Sequence, residues 1–234
     1  MGFYYFDYTY FIYMLPAIIV TMIAQVKVQS AFRKYSRVGT LNRMTGAQAA
    51  NAVARSGGAY GVQVQRVEGN LTDNFDPRNN TISLSENVYS ASTIAAVGVA
   101  AHEAGHAIQH AQGYFPNKIR TALVPVTNIG SRLAIPIVIV GLILPLQYDF
   151  VVYAGIALYS LAVLFQLVTL PVEFNASFRA IRALGDSGIL YPDELEGAKK
   201  VLTAAAMTYL AASFAAIMTL LRLLTIAGNR RGRD

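Results

Sequence analysis

The sequence predicts a mainly α-helical integral membrane protein with three or four transmembrane helices and a small β-hairpin. Of the 234 residues, 54% are hydrophobic and only 14% are charged, and the mean hydropathy is +0.41. This balance is more apolar than that of an ordinary soluble domain. Several apolar stretches approach or exceed the length that crosses a hydrocarbon core. A more polar region between them contains short alternating segments and a histidine motif.

The first apolar stretch, Phe3–Val26, is long enough to span a bilayer, and it opens with tyrosines and phenylalanines typical of a membrane interface. It lacks the basic start and small-residue cleavage site of a signal peptide, so we expect it to be retained. Asp7 is the only charged residue near its start. Basic residues follow its end, namely Lys27, Arg33, Lys34 and Arg37. The positive-inside rule therefore predicts an N-terminus outside the cell and a cytoplasmic domain after the span.

The polar region begins with a predicted helix over Val38–Ala54, in which Thr45 and Gln48 have the spacing of a capping box. Two alternating segments follow, Val62–Val67 and Thr81–Leu84, and they predict a small antiparallel hairpin. The edge of this hairpin could bind an extended peptide by strand addition. It could equally serve only to cover the next helix.

That next helix carries the motif His-Glu-Ala-Gly-His at residues 102–106. Residues four apart lie on one face of a helix, so the imidazoles of His102 and His106 can converge on one point. Two neutral imidazoles suit zinc, which takes nitrogen ligands in tetrahedral geometry. Glu103 could reach a metal-bound water without being a ligand, which is the position of a general base in a zinc peptidase.

A purely structural role is the alternative, because two histidines on a helix can be hydrogen-bonded without binding a metal. The chain, however, has only three histidines and 13 acidic residues, which argues against a chance match. It contains no cysteine, so disulfides and thiolate ligands are excluded, and a metal must be held by histidine, aspartate or glutamate.

Catalytic zinc requires three protein ligands and one open position. Among the seven acidic residues after His106, Glu173 is the best candidate, because it follows a long apolar run and Pro171, where an unpaired carboxylate would be costly. His110 continues the four-residue spacing. Three ligands on successive turns would extend over about 12 Å, however, which is too far for one ion. We expect His110 to lie near the site or on the surface.

Two further apolar stretches, Leu133–Leu146 and Phe150–Leu170, predict a membrane hairpin whose short connection, Gln147–Asp149, lies outside. A last apolar stretch, Met207–Ala227, is interrupted by Arg222 and followed by arginines. If it spans the membrane, this basic tail ends outside, against the positive-inside rule. The sequence therefore leaves three and four spans open.

The segments His-Glu-Ala-Gly-His-Ala-Ile-Gln and Pro-Val-Glu-Phe-Asn-Ala-Ser together resemble the neutral zinc metallopeptidase family of bacterial membranes, the YugP-like proteins, and more remotely the HtpX-type membrane proteases. The resemblance implies a helical zincin-type domain with one zinc ion, held by His102, His106 and Glu173, and Glu103 as catalytic base. It divides the chain into a transmembrane helix (3–26), the first part of a cytoplasmic zincin domain (27–132), a transmembrane hairpin (133–171), the second part of the zincin domain (172–206) and an apolar helix that is a candidate fourth span (207–227).

One position departs from the wider gluzincin pattern. Many such enzymes carry an aspartate four residues after the glutamate ligand, where it orients a zinc-bound histidine, but this chain has Ser177 there. Ser177, Asn175 or Asp186 could take this role. Arg179 could bind a substrate carbonyl or the oxyanion, although it also fits an ordinary charge flanking a membrane segment.

These observations predict a zinc peptidase of the cell membrane, with the catalytic site on the cytoplasmic side and a peptide or protein as substrate. The lipid bilayer is its second expected partner. The net charge of +6 accompanies apolar segments and no nucleic-acid-binding motif, so we expect no nucleic acid. The alternative is a non-catalytic membrane scaffold with a structural zinc, and solute transport has little support in the sequence.

Overall fold

The computed structural model describes residues 8–70 and 72–231. Residues 3–7 of the first predicted span and Arg233 of the basic tail lie outside the described residues. The described chain is mainly α-helical, as predicted, with seven α-helices and three short strands. The helices are α1 (Leu15–Tyr35), α2 (Gly46–Ser56), α3 (Glu86–Tyr89), α4 (Ile94–Ala111), α5 (Phe115–Ile143), α6 (Phe150–Asp186) and α7 (Pro192–Arg231), and the strands are β1 (Gln63–Val67), β2 (Asn74–Asp76) and β3 (Thr81–Ser85).

Within the described residues, four helical segments are long and apolar enough to cross a membrane. They are Tyr10–Tyr35, Phe115–Ile143, Leu146–Asp186 and Pro192–Arg230. Arg222, which interrupts the last apolar stretch of the sequence, lies inside the continuous helix α7. Its guanidinium carbon is 5.5 Å from the centre of the Tyr10 ring, and its Nε donates a hydrogen bond to Thr9. The charge thus has aromatic and polar partners, and it does not break the helix.

Helix α5 is longer than the sequence predicted. The predicted segment began at Leu133, after a charged residue, whereas α5 starts at Phe115 and runs through Arg132. Pro125 and Pro136 lie inside it. Each proline removes one helical hydrogen bond, and neighbouring helices can compensate for this loss, so the helix continues through both. Neither the charge nor the prolines therefore set the ends of this helix.

The three strands form one mixed sheet in the order β1-β3-β2. The two strands predicted from the sequence correspond to β1 and β3, and they pair in parallel, with Gln63 opposite Thr81. The predicted antiparallel pairing between them was wrong. The short strand β2 lies between them in the chain and pairs antiparallel with β3, with Phe75 opposite Ile82. Residues 68–80 are thus long enough to make the crossover that parallel strands require.

The chain forms two compact units. Unit 1 contains the described residues up to Ala24, the segment Ile119–Thr169 and the residues from Tyr209 onward, and unit 2 contains Gln25–Lys118 and Leu170–Thr208. In unit 1, buried apolar side chains of α5, α6 and α7 pack together. They are Val138, Val152, Ile156, Leu223 and Ala227.

Arg230, near the end of α7, contacts the turn between α5 and α6 in unit 1. Its guanidinium lies 3.7 Å from the carboxylate of Asp149, and it donates hydrogen bonds to the carbonyl oxygens of Gly141 and Leu144. These carbonyls lie in the last turn of α5 and just beyond it, where helical donors run out. Arg230 therefore caps α5 and pairs with the acid of the following turn.

The start of the described chain lies against the same part of α7. Asn229 donates a hydrogen bond of 3.0 Å to the hydroxyl of Tyr8, and the hydroxyls of Tyr13 and Thr225 are 2.9 Å apart. The start of the described chain, the turn between α5 and α6, and the end of α7 therefore lie at one end of unit 1.

Helix α2 in unit 2 has the predicted capping box but begins later than predicted. Thr45 accepts a hydrogen bond from the backbone N–H of Gln48, whose side chain accepts one from the N–H of Thr45. The preceding residues are held outside the helix by distant partners. The side-chain amide of Asn42 donates to the carbonyl oxygens of Gly188 and Ile189. The capping box marks the first turn correctly, whereas the predicted extension back to Val38 was wrong.

The core of unit 2 is built largely from α2, β3 and α4, and it fixes α4 in place. Its buried members include Ala50, Val53, Ile82, Leu84, Val97 and Ala100. The small alanine side chains allow the elements to approach closely, and every residue of β3 is buried. Helix α4 is consequently a rigid support for the side chains of the histidine motif.

Candidate metal centre

The helix that carries the histidine motif has defined ends. The hydroxyl of Thr93 accepts a hydrogen bond of 3.3 Å from the backbone N–H of Ala96 and caps the first turn of α4. At the other end, Gly113 adopts a positive φ of 65°, and the N–H of Tyr114 donates to the carbonyl of Gln109. A helix between these caps places His102 and His106 one turn apart on one face.

The predicted third ligand lies on α6, which passes through Pro171 without a break. The predicted apolar stretch Phe150–Leu170 ends just before this proline, whereas α6 continues to Asp186. Proline removes one helical hydrogen bond and crowds the carbonyl four residues earlier, but the helix can continue beyond it when neighbouring helices compensate for the loss. Glu173 follows two residues later, and only 1% of its surface is exposed.

Helices α4 and α6 come into close backbone contact at Gly105, between the two histidines. A Cβ atom added to Gly105 would lie 2.4 Å from the carbonyl oxygen of Ala176. Any other side chain would therefore collide with the backbone of α6. Because the backbones are so close here, side chains of the two helices on either side of the contact can meet.

His102, His106 and Glu173 meet beside this contact. The Nε2 atom of His102 is 3.2 Å from Oε2 of Glu173, and Nε2 of His106 is 3.5 Å from the same oxygen. One potential ligand atom from each residue lies within 4.8 Å of the others. A buried carboxylate is costly without partners, and here two ring nitrogens face it.

The other nitrogen of each ring is also engaged. Nδ1 of His102 is 3.0 Å from the hydroxyl of Ser177, and Nδ1 of His106 is 3.1 Å from Oε1 of Gln109. The amide nitrogen of Gln109 donates to the carbonyl of Val172, so its oxygen must face His106. The proton of His106 consequently resides on Nδ1, and Nε2 keeps the lone pair that a metal requires.

A polar chain continues from Gln109 to the surface. The amide nitrogen of Gln109 also donates to Oδ1 of Asn175. The same oxygen accepts a second hydrogen bond, of 2.6 Å, from Nε of Arg179. Arg179 further donates to the side chain of Gln112, and its guanidinium lies over the ring of Tyr114. Asn175 and Arg179, both predicted as residues of the site, therefore belong to one network that reaches His106 through Gln109.

The remaining predicted residues lie as follows. Glu103 is buried on α4 between the two histidines in sequence. His110 is exposed, and its ring is 5.9 Å from that of Phe75 rather than in the cluster. Asp186 is the last residue of α6, about 20 Å along the helix from Glu173 at 1.5 Å per residue.

Sequence reasoning missed two residues that the geometry brings into the site. Gln109 is fully buried and joins His106 to α6; its position three residues after His106, on the same helical face, was the available signal. Gly105 permits the close approach of the helices. The sequence shows that it lies between two histidines, but it does not show which helix packs against it.

The cluster fits a zinc ion by its donor chemistry. Two imidazole nitrogens and one carboxylate oxygen are the ligand types that zinc accepts in catalytic sites, where three protein ligands leave a position open. The partners at each Nδ1 fix the ring orientation and leave both Nε2 atoms directed toward Glu173. These three residues could therefore hold one zinc ion.

Comparisons with known proteins agree with this chemistry. The family model described as "Putative neutral zinc metallopeptidase" matches residues 10–228. A relative from Bacillus subtilis (strain 168), named "Putative membrane protease YugP", is 44% identical over 211 residues, which are 90% of this chain and 92% of the relative. No solved structure matches the chain.

The glycine contact can be tested with two alanine substitutions on α4. We expect Gly105→Ala to lower the melting temperature and the zinc content, because the new methyl group would collide with the Ala176 carbonyl and overpacking costs about 1–3 kcal/mol. Gly98→Ala is the matched control, since its added Cβ would make an ordinary contact of 3.6 Å with Ala198. Equal zinc content and melting temperature in both variants would contradict the close-approach argument.

The role of Gln109 can be tested by zinc titration against a competing chelator. We expect Gln109→Met to weaken zinc binding by about 10–100-fold, because it removes the acceptor that orients His106. Gln112→Met, one turn nearer the surface, keeps that acceptor and should change the affinity much less. If the two variants bind zinc equally well, Gln109 does not orient the ligand.

Proposed function

The chain belongs to the neutral zinc metallopeptidase family, and from this premise we propose that it is a membrane-embedded zinc peptidase. Its substrates are the peptide bonds of membrane or membrane-proximal proteins. The observation that carries the proposal is the buried cluster of His102, His106 and Glu173, with Glu103 on the same helix. The four helices that could cross a membrane support the location of the substrates.

In the proposed reaction, each residue of the site has a separate role. His102, His106 and Glu173 would hold the zinc ion, which supplies Lewis acidity for polarising the scissile carbonyl and activating water. Glu103 accepts a proton as water attacks the carbonyl carbon and later gives it to the leaving amine as the carbon–nitrogen bond breaks. Ser177 orients the ring of His102 by its hydrogen bond.

Arg179 has a supporting role in this proposal. Its guanidinium is already engaged with Asn175, Gln112 and the ring of Tyr114. We therefore assign it to the network behind His106 rather than to the substrate carbonyl or the oxyanion.

Substituting each glutamate of the site separates the catalytic role from the ligand role. We expect Glu103→Gln to retain zinc but to lower peptidase activity by about 10²–10⁴-fold, since it removes the general base. Glu173→Gln should lose zinc and activity together, because it removes a ligand charge. The measurements are zinc content and cleavage of a quenched fluorescent peptide library by the protein in detergent.

The control for this pair is Glu68→Gln, which changes an exposed glutamate of unit 2 and should leave both measurements unchanged. Undiminished cleavage by Glu103→Gln would refute the assigned mechanism. Zinc binding by the parent without cleavage of any peptide in the library would favour the alternative of a scaffold with a structural zinc.

We further propose that both ends of the chain lie outside the cell and that the metal centre lies on the cytoplasmic side. The basic residues after the first apolar segment support this orientation through the positive-inside rule. The arginines at the end of α7 run against the rule, but Arg230 is paired with Asp149 and with carbonyl oxygens of α5. Its charge is thus compensated within unit 1.

Single-cysteine labelling tests this orientation. The chain has no cysteine of its own, so any label on this protein reports the introduced residue. We expect a membrane-impermeant maleimide to label Gln147→Cys, in the exposed turn after α5, in intact cells. Asn79→Cys, in the exposed turn before β3, should be labelled only after the membrane is permeabilised. The opposite pattern would reverse the proposed orientation.

A further inference from the structure

A basic groove lies between α1 and α7 in unit 2, apart from the metal centre. It has a volume of about 360 Å³. Lys27 and Lys34 of α1 and Lys200 of α7 line it, together with Tyr35 and the apolar Val26. Three lysines from two separate helices therefore line one groove.

A close helix contact holds the two walls of this groove together. A Cβ atom added to Gly197 of α7 would lie 2.8 Å from the ring of Tyr35, so the glycine allows the tyrosine to pack against the helix backbone. Lys34 precedes this tyrosine, and its Nζ atom lies 5.3 Å from the ring centre. Lys200 follows the glycine by three residues. The contact thus sets the distance between the helix backbones that carry Lys34 and Lys200.

The positive charge of the groove has little internal compensation. Residues 25–37 contain four basic residues and no acidic one. Glu196 lies 3.8 Å from Lys200 as a pair four residues apart on the surface of α7, and both side chains are more than half exposed. Such an exposed pair is weak, so it does little to prevent Lys200 from binding another anion.

We propose that this groove binds the headgroup of an anionic phospholipid. In the chain, the groove begins at Val26, the last residue of the first apolar stretch, in a helix that could cross a membrane. Basic pockets at this position attract the phosphate groups of anionic lipids. Val26 is 65% exposed and offers an apolar surface for the glycerol and first acyl carbons, which a soluble phosphate would leave unused.

The test is a titration of the full protein in neutral detergent with fluorescent phosphatidylglycerol, and its readout does not depend on peptidase activity. We expect saturable binding that phosphatidylcholine and inorganic phosphate fail to compete away. The triple variant Lys27→Gln, Lys34→Gln, Lys200→Gln should bind roughly a hundredfold more weakly, since each basic residue near an anionic lipid contributes about fivefold.

A charge-matched triple variant distinguishes a defined site from general surface attraction. Arg33→Gln, Arg37→Gln, Lys199→Gln removes three charges from the neighbouring parts of the same two helices. None of these residues lines the groove, and salt screens charges that lie away from the bound headgroup, so this variant should bind within about tenfold of the parent. Equal losses in the two triple variants would overturn the proposal, as would full competition by inorganic phosphate. If the groove triple variant melts below the parent without lipid, Lys200→Gln alone provides the comparison against Lys199→Gln.

Discussion

The contact between Gly105 of α4 and the backbone of Ala176 of α6 is the constraint on which the metal centre depends. Packed helices ordinarily keep their axes 8–10 Å apart, and the side chains between them set that distance. With no side chain at Gly105, the two backbones touch, and histidines from one helix reach a glutamate of the other. A larger residue at this point would separate the ligand atoms even if every ligand remained in the sequence.

Parts of the structure that depend on local spacing were predictable from the sequence. The four-residue spacing of His102 and His106 specifies their common face on any helix, and Thr45 with Gln48 specifies a capping box that the structure contains. Glu173 stood out because the chain has so few acidic residues. The structure brings it against both histidines, while its role as a ligand remains a prediction.

Features that depend on distant contacts were not predictable in the same way. The parallel pairing of β1 with β3 depends on the three-residue strand β2, which is too short to show an alternating pattern. The conformation of the residues before α2 depends on the hydrogen bonds from Asn42 to Gly188 and Ile189, so the sequence did not show that they lie outside the helix. The spacing of Gln109 puts it on the same face as His106, but the sequence does not show its partners Val172 and Asn175, which lie on another helix.

The hydrogen bond from Gln109 to the carbonyl of Val172 has a mechanical consequence. The carbonyl belongs to the residue immediately before Glu173, so the amide that aligns His106 is anchored next to the carboxylate that faces the same ring. A slip of α6 by one residue along its axis, about 1.5 Å, would misalign the anchor and the carboxylate simultaneously. The orientation of the His106 ring and the position of the Glu173 carboxylate therefore both depend on the same segment of α6.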